Sequence, residues 1–364
     1  MPKLLFITYK PFVTVKEGGG QGSLRNYQNL CKILGENNVD TIYVHNDDSH
    51  RSISTYIEAA IFLPWGYYMG LTPHRCKQII NIANQYEVIF IDRSLFGIIA
   101  KKLKQSGFKG TIITFFHNVE KIYFDAKLNS VPYVIRKLIS NIADINDKLS
   151  CRFSDKIITL NDRDTKTIEK LYSRKADWQI PVSMTDKYAR KQYTSELTRK
   201  RPQCMFLGAY FAANNEGILW FVHNVLPHVD IEMKIVGKGM SKLKQEALEL
   251  KDIEVISDAP DLLPYFEEAD LMILPIFSGS GMKVKTCESL MYGKNIIGTD
   301  EAFEGYNLDG DKVGGRCNTV EEFIAAIQSF IDNPRPRFNN YSRATYLAHN
   351  SDNAIEQLFQ QLFK

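Results

Sequence analysis

The chain has 364 residues, of which 44% are hydrophobic and 24% charged, so its composition is that of a globular protein large enough for two domains. A formal net charge of +3 is small for this length and does not favour nucleic-acid binding. The six cysteines are scattered without the paired spacing of metal ligands, which predicts reduced thiols in a cytoplasmic protein and no metal site.

The sequence shows no pattern typical of a signal peptide or a membrane span. Only four consecutive apolar residues precede Thr8, too few for a signal-peptide core and typical of a first buried strand. The most apolar long stretch, residues 57–71, contains Glu58 and is interrupted by Pro64 and Gly66, so it is not expected to cross a bilayer. We therefore expect the protein to begin and stay inside the cell.

Short apolar runs alternate with helical patterns through the first half of the chain. Strands are predicted over residues 4–8, 41–44, 88–91, 111–115 and 156–160. A glycine-rich turn at residues 18–22 leads into a helix over residues 24–34 with Ser23 as its N-cap, and further helices are predicted over residues 75–85, 97–105 and 162–171. This alternation predicts an α/β domain with a mostly parallel, doubly wound sheet and ligands at the carboxyl ends of its strands.

The longest predicted helix, residues 134–153, interleaves apolar and basic residues. Its apolar positions include Ile135, Leu138, Ile142 and Ile145. We interpret it as a helix whose apolar side faces the core and whose basic side is solvated. The alternative is a contact with a membrane surface, to which an aromatic patch at Trp65, Tyr67 and Tyr68 would also contribute.

The pattern changes over residues 184–203, where many charges and little apolar periodicity predict a linker. We place the linker at residues 186–202, between an N-terminal domain (1–185) and a C-terminal domain (203–335). The second domain repeats the βα order, with strands over residues 204–207, 232–236, 253–256, 271–275 and 296–297 and a helix over residues 241–251. Residues 336–364 are predicted as helices that could pack back on the N-terminal domain, and two such domains would face a cleft.

Residues 270–299 have the order of a strand, a loop of small residues, a helix of about ten residues closed by Gly293, and a second strand. The loop contains Gly279 and Gly281 and opens a helix N-terminus. Such an end presents backbone N–H groups and the positive pole of the helix, and Lys283 and Lys285 add positive charge. A phosphate is therefore the expected occupant.

Glu288 is predicted on the apolar side of this helix. At 100° per residue, Cys287, Glu288 and Met291 fall within about 60° of Val284. A glutamate is seldom buried unpaired, so it either meets a cation such as Lys294 or accepts hydrogen bonds from ligand hydroxyls. We favour the second interpretation because the phosphate-type loop lies one turn away.

The order of these segments resembles the family 4 glycosyltransferases of the GT-B fold, particularly their bacterial polysaccharide branch. The matching stretches are residues 18–20 with Arg25 and Asn26, HNVE at 117–120, DKIITL at 155–160, Leu207 and Gly208 followed by Asn214 and Asn215, IVG at 235–237, the segment 279–299 and AFEG at 302–305. The resemblance covers nearly the whole chain and implies two Rossmann-like domains facing a cleft.

The resemblance implies transfer of a sugar from a nucleotide-diphosphate sugar to a glycan or lipid-linked acceptor, with retention of anomeric configuration and without a metal or cofactor. It implies a part in bacterial surface polysaccharide synthesis, such as capsule or O-antigen, by a cytoplasmic enzyme that could contact the inner face of the membrane. A helix dipole and lysines would stabilise the diphosphate leaving group where other transferases use a cation.

The resemblance also implies residue roles. Glu288 would hold the ribose hydroxyls. Gly281, Met282 and Lys283 would contact the diphosphate, and Gly19 and Gly20 would close over it from the N-terminal domain. The donor site would further include Gly208, Gly237, Lys238 and Ser280.

Two catalytic candidates follow the fourth predicted strand. His117 matches the family position that contacts the donor sugar near the reacting centre, and Glu120 lies in the same motif. The alternative for His117 is a cap on the next turn, and for Glu120 a structural or acceptor contact. Lys238, after Gly237, could reach a phosphate or stay solvated.

The sequence departs from the family at two places. Many members carry two glutamates eight residues apart, the first touching the donor sugar, but the residue eight before Glu288 is Ser280. The arginine and lysine pair that many members place after the first strand of the C-terminal domain is not evident, so Lys283, Lys285 or Lys238 would take its role.

Two other functions stay open. A non-catalytic partner that binds nucleotide sugar is motivated by Ser280. A nucleotide-sugar epimerase shares the two-domain architecture, but it would need its own acid and base carboxylates facing the sugar, and no such pair is evident in the sequence, so it ranks last.

Overall fold

The structure is a computed structural model that describes residues 1–12, 18–45, 61–127, 132–188, 196–243 and 253–363. Its contacts divide the chain into two compact units, one of Met1–Pro181 with Ile355–Lys364 and one of Val182–Ala354. Within the described ranges each unit contains one six-stranded sheet whose paired strands are all parallel. The predicted α/β class with two doubly wound sheets is therefore confirmed.

Unit 1 contains the strands β1 to β6 in the spatial order β2-β1-β3-β4-β5-β6. The strands are β1 (Leu4–Thr8), β2 (Val39–Tyr43), β3 (Val88–Ile91), β4 (Thr111–Phe116), β5 (Lys156–Thr159) and β6 (Trp178–Gln179). The helices are α1 (Gly18–Leu34), α2 (Pro73–Ala83), α3 (Gly97–Gln105), α4 (Glu120–Lys127), α5 (Tyr133–Phe153) and α6 (Asp162–Tyr172). Strands β1 and β3 are buried at every position, as expected for a parallel sheet covered on both faces.

Unit 2 contains the strands β7 to β12 in the spatial order β12-β11-β10-β7-β8-β9. The strands are β7 (Gln203–Leu207), β8 (Glu232–Gly237), β9 (Ile253–Ser257), β10 (Leu271–Leu274), β11 (Asn295–Gly298) and β12 (Gly314–Arg316). The helices are α7 (Ala212–Asn224), α8 (Leu263–Glu268), α9 (Val284–Met291), α10 (Gly310–Val313), α11 (Val320–Asp332) and α12 (Asn340–His349). Helix α11 begins with a capping box between Thr319 and Glu322.

The last helix, α13 (Asp352–Gln361), lies mostly within unit 1. Its apolar side buries Ile355 and Phe359, and the Lys156 ammonium of β5 donates to the carbonyl of Leu362 at 2.9 Å. The sequence predicts helices over residues 336–364, and the structure has two there, α12 and α13. They are separated where Asn350 and Ser351 bond to the segment 182–184, which takes these two residues out of the helix.

Helix α1 differs from its prediction. It begins at Gly18, so the glycines expected in a turn form its first turn, and Ser23 is a buried residue inside the helix and not its N-cap. Gly22 explains part of this, because a Cβ at this position would lie 3.1 Å from Cε1 of His117. The close approach of that ring, and not a turn, accounts for a glycine here.

Two strands and one helix differ from the prediction. Strands β6 and β12 are not among the predicted strands. Strand β6 has only two residues, and β12 has the sequence Gly-Gly-Arg, in which glycine disfavours a strand. Of the predicted helix over residues 241–251, the structure describes a short 3₁₀ helix at Met240–Leu243, and residues 244–252 lie outside the described residues.

Helix α5 faces the core with one side, as predicted, but most of the predicted apolar residues do not lie on that side. Of the four apolar residues predicted to face the core, only Ile142 is buried, while Ile135, Leu138 and Ile145 are 49%, 40% and 36% exposed. The buried side of α5 is instead rich in polar residues, namely Ser140, Asn146, Asp147 and Ser150. The aromatic patch is smaller than predicted, because Trp65 is 61% exposed but Tyr67 is buried in the core of unit 1.

Both sheets reverse their strand order once, and the reversal points position the candidate sites. In unit 1 the chain proceeds from β1 to β2 and then returns to place β3 on the other side of β1. In unit 2 it proceeds from β7 through β8 to β9 and returns to place β10 beside β7. Ligands of open α/β sheets bind outside the carboxyl ends of strands at such switch points. None of the helices in the described ranges is long and apolar enough to cross a membrane.

Candidate functional site

The loops at the carboxyl edge of the unit 2 sheet contact each other closely. Gly237 ends β8 with φ of 155°, and a Cβ built on it would lie 1.8 Å from the carbonyl oxygen of Gly208, which follows β7. A Cβ on Gly208 would in turn lie 2.9 Å from Nδ2 of Asn214 in the first turn of α7. Gly237 is therefore required by backbone packing at the switch point, and Gly208 lets the side chain of Asn214 approach closely.

The loop between β10 and α9 is shaped by glycines. Gly279 and Gly281 have φ of 150° and 62°, values that other residues rarely adopt. Helix α9 then begins at Val284, and its N-cap residue, Lys283, makes no side-chain capping hydrogen bond. The predicted helix N-terminus is confirmed, as is its closure by Gly293, whose φ is 60°.

Lys283 is held against the loop that follows β11. Its Nζ lies 2.6 Å from Oε1 of Glu301 and 2.9 Å from the carbonyl oxygen of Gly281. Its own carbonyl accepts a hydrogen bond from the hydroxyl of Tyr306 at 2.8 Å. The ammonium of Lys283 is thus placed beside the loop at the start of α9, although a carboxylate already neutralises part of its charge.

Lys285 points from the first turn of α9 towards α7. Its Nζ donates to Oδ1 of Asn214 at 2.5 Å and lies 4.5 Å from the centre of the Phe206 ring. The Lys285 side chain as a whole is half-buried, but its ammonium group is enclosed by Asn214 and Phe206. Burial of that end, with the repulsion of Lys283, lowers the pKa of Lys285 to about 7, and Glu288 opposes the change. This lysine therefore titrates near neutral pH.

The other predicted donor residues lie around the start of α9. Met282 is buried, Ser280 is half-buried in the loop, and Glu288 is half-buried one turn after Lys285. Lys294, the alternative partner considered for Glu288, donates to the carbonyl of Ala269 at 2.8 Å. Lys238 is exposed directly after Gly237, and its carbonyl accepts from the backbone N–H of Tyr210. The structure thus brings the unit 2 candidates to one edge of the sheet.

A buried polar network occupies the switch point of unit 1. Asp92 follows β3 and is fully buried, and its Oδ1 lies 3.1 Å from Nε2 of His117 at the end of β4. Asn26 of α1 donates to Oδ1 at 3.0 Å, and the Thr8 hydroxyl at the end of β1 donates to Oδ2 at 3.1 Å. Gly19 and Gly20 lie in the first turn of the same helix α1.

The surroundings of Asp92 keep it ionised. Burial opposes its negative charge, but the nearby His117 and Arg93, and hydrogen bonds from His117 and Ser23, outweigh burial and lower the pKa of Asp92. The His117 ring also packs 4.7 Å, centre to centre, from that of Phe115. A charged carboxylate therefore holds one nitrogen of the predicted catalytic histidine.

Glu120, the second catalytic candidate, begins α4 and is buried. The carboxyl group of Asp147 on α5 lies near it, and its Oδ2 accepts the backbone N–H of Lys121 at 3.0 Å. Burial raises the pKa of Asp147 well above its usual range, opposed by Ser94 and increased by the charge of Glu120. Two buried carboxyl groups thus share this part of unit 1.

Three residues of these arrangements are not among the sequence candidates. Asp92, Asn214 and Glu301 become visible only when strands distant in sequence are placed side by side. Asp92 carries the clearest sequence signal, since it is a carboxylate directly after a buried apolar strand. Across the described ranges, no group of three His, Cys, Asp or Glu side chains is arranged to hold a metal ion.

Comparisons with known proteins agree with this architecture. Residues 201–333 match the family model described as "Glycosyl transferases group 1". No curated protein sequence gives a significant match to this chain.

Solved structures resemble the chain over nearly its full length. Sucrose-phosphate synthase from Thermosynechococcus elongatus is 15% identical with a TM-score of 0.68, and 99% of each chain is covered. Anabaena HepE in complex with UDP is 11% identical with a TM-score of 0.67 and the same coverage. The lipopolysaccharide outer core galactosyltransferase WaaB is 12% identical with a TM-score of 0.64, covering 99% of this chain and 98% of that one. The fold is GT-B. Both this fold and the family match of residues 201–333 are those of glycosyltransferases.

Proposed function

From the premise that the chain is a GT-B glycosyltransferase whose residues 201–333 match the group 1 family, we propose that its donor is a nucleotide-diphosphate sugar. The reaction moves the sugar to a glycan or lipid-linked acceptor with retention of anomeric configuration. The observation that carries this proposal is the start of α9, where a helix N-terminus without a side-chain cap, a glycine loop and two lysines converge.

The diphosphate fits this place for electrostatic reasons. A helix N-terminus favours an anion by about 0.3–1 kcal/mol when exposed and more when partly buried. Charge-assisted hydrogen bonds from lysines contribute more, roughly 1.5–3 kcal/mol each. Lys283 and Lys285 are both within one turn of Val284, and the N-terminus of α7 is joined to Lys285 through Asn214. These groups can stabilise a leaving diphosphate without a metal ion or other cofactor.

The remaining roles in unit 2 follow from position around this anion, and the roles in unit 1 follow from the family resemblance. Glu288, one turn further along α9, binds the ribose hydroxyls, and Gly208, Gly237, Lys238, Ser280, Gly281 and Met282 line the donor. His117 contacts the donor sugar, Glu120 supports the same region, and Gly19 and Gly20 contact the donor from unit 1. HepE structures that contain UDP and UDP-glucose have the same fold and support the choice of ligand.

Titration with nucleotide diphosphates tests the donor proposal. UDP, GDP and ADP are added to the protein and binding is followed by calorimetry and by the shift of the thermal unfolding midpoint. At least one should bind in the absence of divalent metal, and Glu288→Gln should weaken it. A matched control is Glu254→Gln, an exposed glutamate on β9 of the same unit. Absence of binding by every nucleotide would refute the proposal.

We further propose that α5 rests on the inner face of a membrane. Its first turns expose Tyr133, Val134 and Ile135, with Val134 77% exposed, while Arg136 and Lys137 lie among them. An exposed apolar stripe with basic neighbours suits an anionic lipid surface, where each basic residue contributes about 1 kcal/mol. Such a location suits a lipid-linked acceptor and synthesis of a bacterial surface polysaccharide, and the likeness to WaaB supports that role.

Vesicle sedimentation tests the membrane contact. The protein should co-sediment at low salt with vesicles containing anionic lipid and not with neutral ones. Val134→Ser with Leu138→Ser should weaken binding, whereas Leu171→Ser, which removes a residue 40% exposed on α6, should not. Equal sedimentation of the two variants, or none by the unaltered protein, would refute the contact.

A further inference from the structure

Asp92 has no assigned role, yet it is the centre of the polar network of unit 1. It is fully buried at the switch point between β1 and β3 and accepts hydrogen bonds from three elements, through Thr8, Asn26 and His117. A charge is costly to bury unless hydrogen bonds and opposite charges compensate it. Several side chains therefore hold this one carboxylate next to one histidine.

The chemistry of this carboxylate determines which ring nitrogen of His117 carries a proton. An ionised carboxylate only accepts hydrogen bonds, so the Nε2 atom at 3.1 Å from Oδ1 must donate. In a neutral imidazole the other nitrogen, Nδ1, is then the acceptor. A histidine held in this way has both its tautomer and its ring orientation defined by the neighbouring carboxylate.

The Nδ1 edge of the ring lies beside helix α1. A Cβ on Gly22 would be 3.2 Å from Nδ1 and 3.1 Å from Cε1 of His117, closer than nearly all side chains tolerate. Glycine is unfavourable inside a helix, so its presence here is explained by the close approach of the ring, which a side chain at residue 22 would obstruct. Asp92 thus contacts Nε2 of the imidazole, and helix α1 at Gly22 lies close to Nδ1 and Cε1.

We propose that Asp92 is a positioning residue that fixes His117 with Nε2–H on the carboxylate, so that Nδ1 accepts a hydrogen bond from a hydroxyl of the sugar substrate. The proposal rests on the proposed function, in which His117 contacts the donor sugar. No proton is removed from the hydroxyl in this contact. Asp92 itself is too deeply buried to touch the substrate.

Nitrogen NMR of the unaltered protein tests the positioning without any activity. The ring signals of His117 are assigned by their loss in His117→Gln, and their ¹⁵N shifts identify the tautomer near pH 7.5. We expect one tautomer with the proton on Nε2. In Asp92→Leu, which removes the acceptor while keeping the size of the side chain, we expect a mixture of tautomers. A proton on Nδ1 in the unaltered protein would overturn the proposal.

Kinetics test the consequence for the reaction. With hydrolysis of the donor nucleotide sugar as the measured turnover, Asp92→Leu should lower kcat about 10- to 100-fold with little change in KM, because one substrate hydrogen bond is misplaced. Asp92→Asn retains an acceptor oxygen and should recover most of kcat. If folded Asp92→Leu has the kcat of the unaltered protein, or Asp92→Asn is as slow as Asp92→Leu, the proposal is wrong.

A matched carboxylate provides the control. Asp155 lies at the opposite, amino-terminal edge of the same sheet, where it accepts from the backbone N–H of Ile112 and from Lys104. Asp155→Leu removes a comparable set of hydrogen bonds and should leave the kcat of the remaining folded protein unchanged. Nucleotide binding by all variants separates the two proposals. Absence of nucleotide binding by the unaltered protein refutes the proposed donor. The tautomer of His117 in the unaltered protein decides the role of Asp92, even if Asp92→Leu fails to fold.

Discussion

The pKa of Lys285 predicts that nucleotide binding depends on pH. The ammonium end of this lysine is enclosed beside Phe206 and Asn214, and burial lowers its pKa to about 7. At pH 7 it is therefore charged in about half of the unliganded molecules. A diphosphate at the start of α9 favours the charged form, so binding takes up a proton above pH 7 and weakens as pH rises.

The size of the effect follows from the fraction of protonated Lys285. With a pKa of about 7 in the unliganded protein and a much higher one in the complex, affinity falls about fivefold from pH 7 to pH 8. It falls about 15-fold from pH 7 to pH 8.5, which corresponds to about 1.6 kcal/mol. A nucleotide-diphosphate sugar is the better ligand for this experiment, because its phosphates have no terminal group that titrates near pH 6.

Calorimetric titration from pH 7 to pH 8.5 at constant ionic strength measures this dependence. Lys285→Met should bind about 10- to 100-fold more weakly at pH 7 and show no such dependence, so the two affinities should converge as pH rises. Lys312→Met, which removes an exposed lysine on α10, should follow the unaltered protein. A constant affinity of the unaltered protein over this range, or an equal slope in Lys285→Met, would refute the reasoning.

Three further predictions concern Asp147, Glu301 and Gly237. Asp147 keeps its proton in the folded protein at pH values where the unfolded chain has released it, so the free energy of unfolding falls as pH rises above about 4. Asp147→Asn removes this dependence, so its free energy of unfolding in urea should rise relative to that of the unaltered protein from about pH 4.5 to about pH 7.5. Glu301→Gln removes the carboxylate that pairs with Lys283 and should tighten binding of a nucleotide diphosphate about 3- to 10-fold in calorimetry; weaker binding would contradict this. Gly237→Ala places a Cβ 1.8 Å from the carbonyl oxygen of Gly208 and should lower the free energy of unfolding by roughly 2–4 kcal/mol. Gly107→Ala should cost less, about 1 kcal/mol, because it has the backbone strain of a φ of 82° but no steric clash.

The sequence is informative where local patterns decide the structure. Strands β1 and β3 have the predicted bounds because each is a short, wholly apolar run ended by a polar residue. The start of α9 is equally clear, since a glycine loop precedes a helical pattern that Gly293 ends. Candidate residues on these elements, such as Lys283, are therefore found in the expected place.

Contacts between distant segments explain what the sequence does not reveal. The pairing of Asp92 with His117 joins residues 25 apart through neighbouring strands, and no local pattern marks it. Helix α5 shows the opposite problem, because its apolar residues have helical spacing but Ile135 and Leu138 are exposed. Periodicity shows that one side of a helix is apolar, but it does not tell whether protein or another apolar phase covers that side.

The two switch points differ in the charge they can offer a substrate, and this difference fits a division of the reaction. At the edge of unit 2, Lys285 and the N-terminus of α9 provide positive charge, which suits an anionic leaving group. At the edge of unit 1, the charge of Asp92 is fully buried and the group nearer the surface is His117, neutral in the proposal above, which suits uncharged hydroxyls. The donor is therefore expected to lose affinity mainly through Lys285 substitutions and to lose turnover mainly through Asp92 and His117 substitutions.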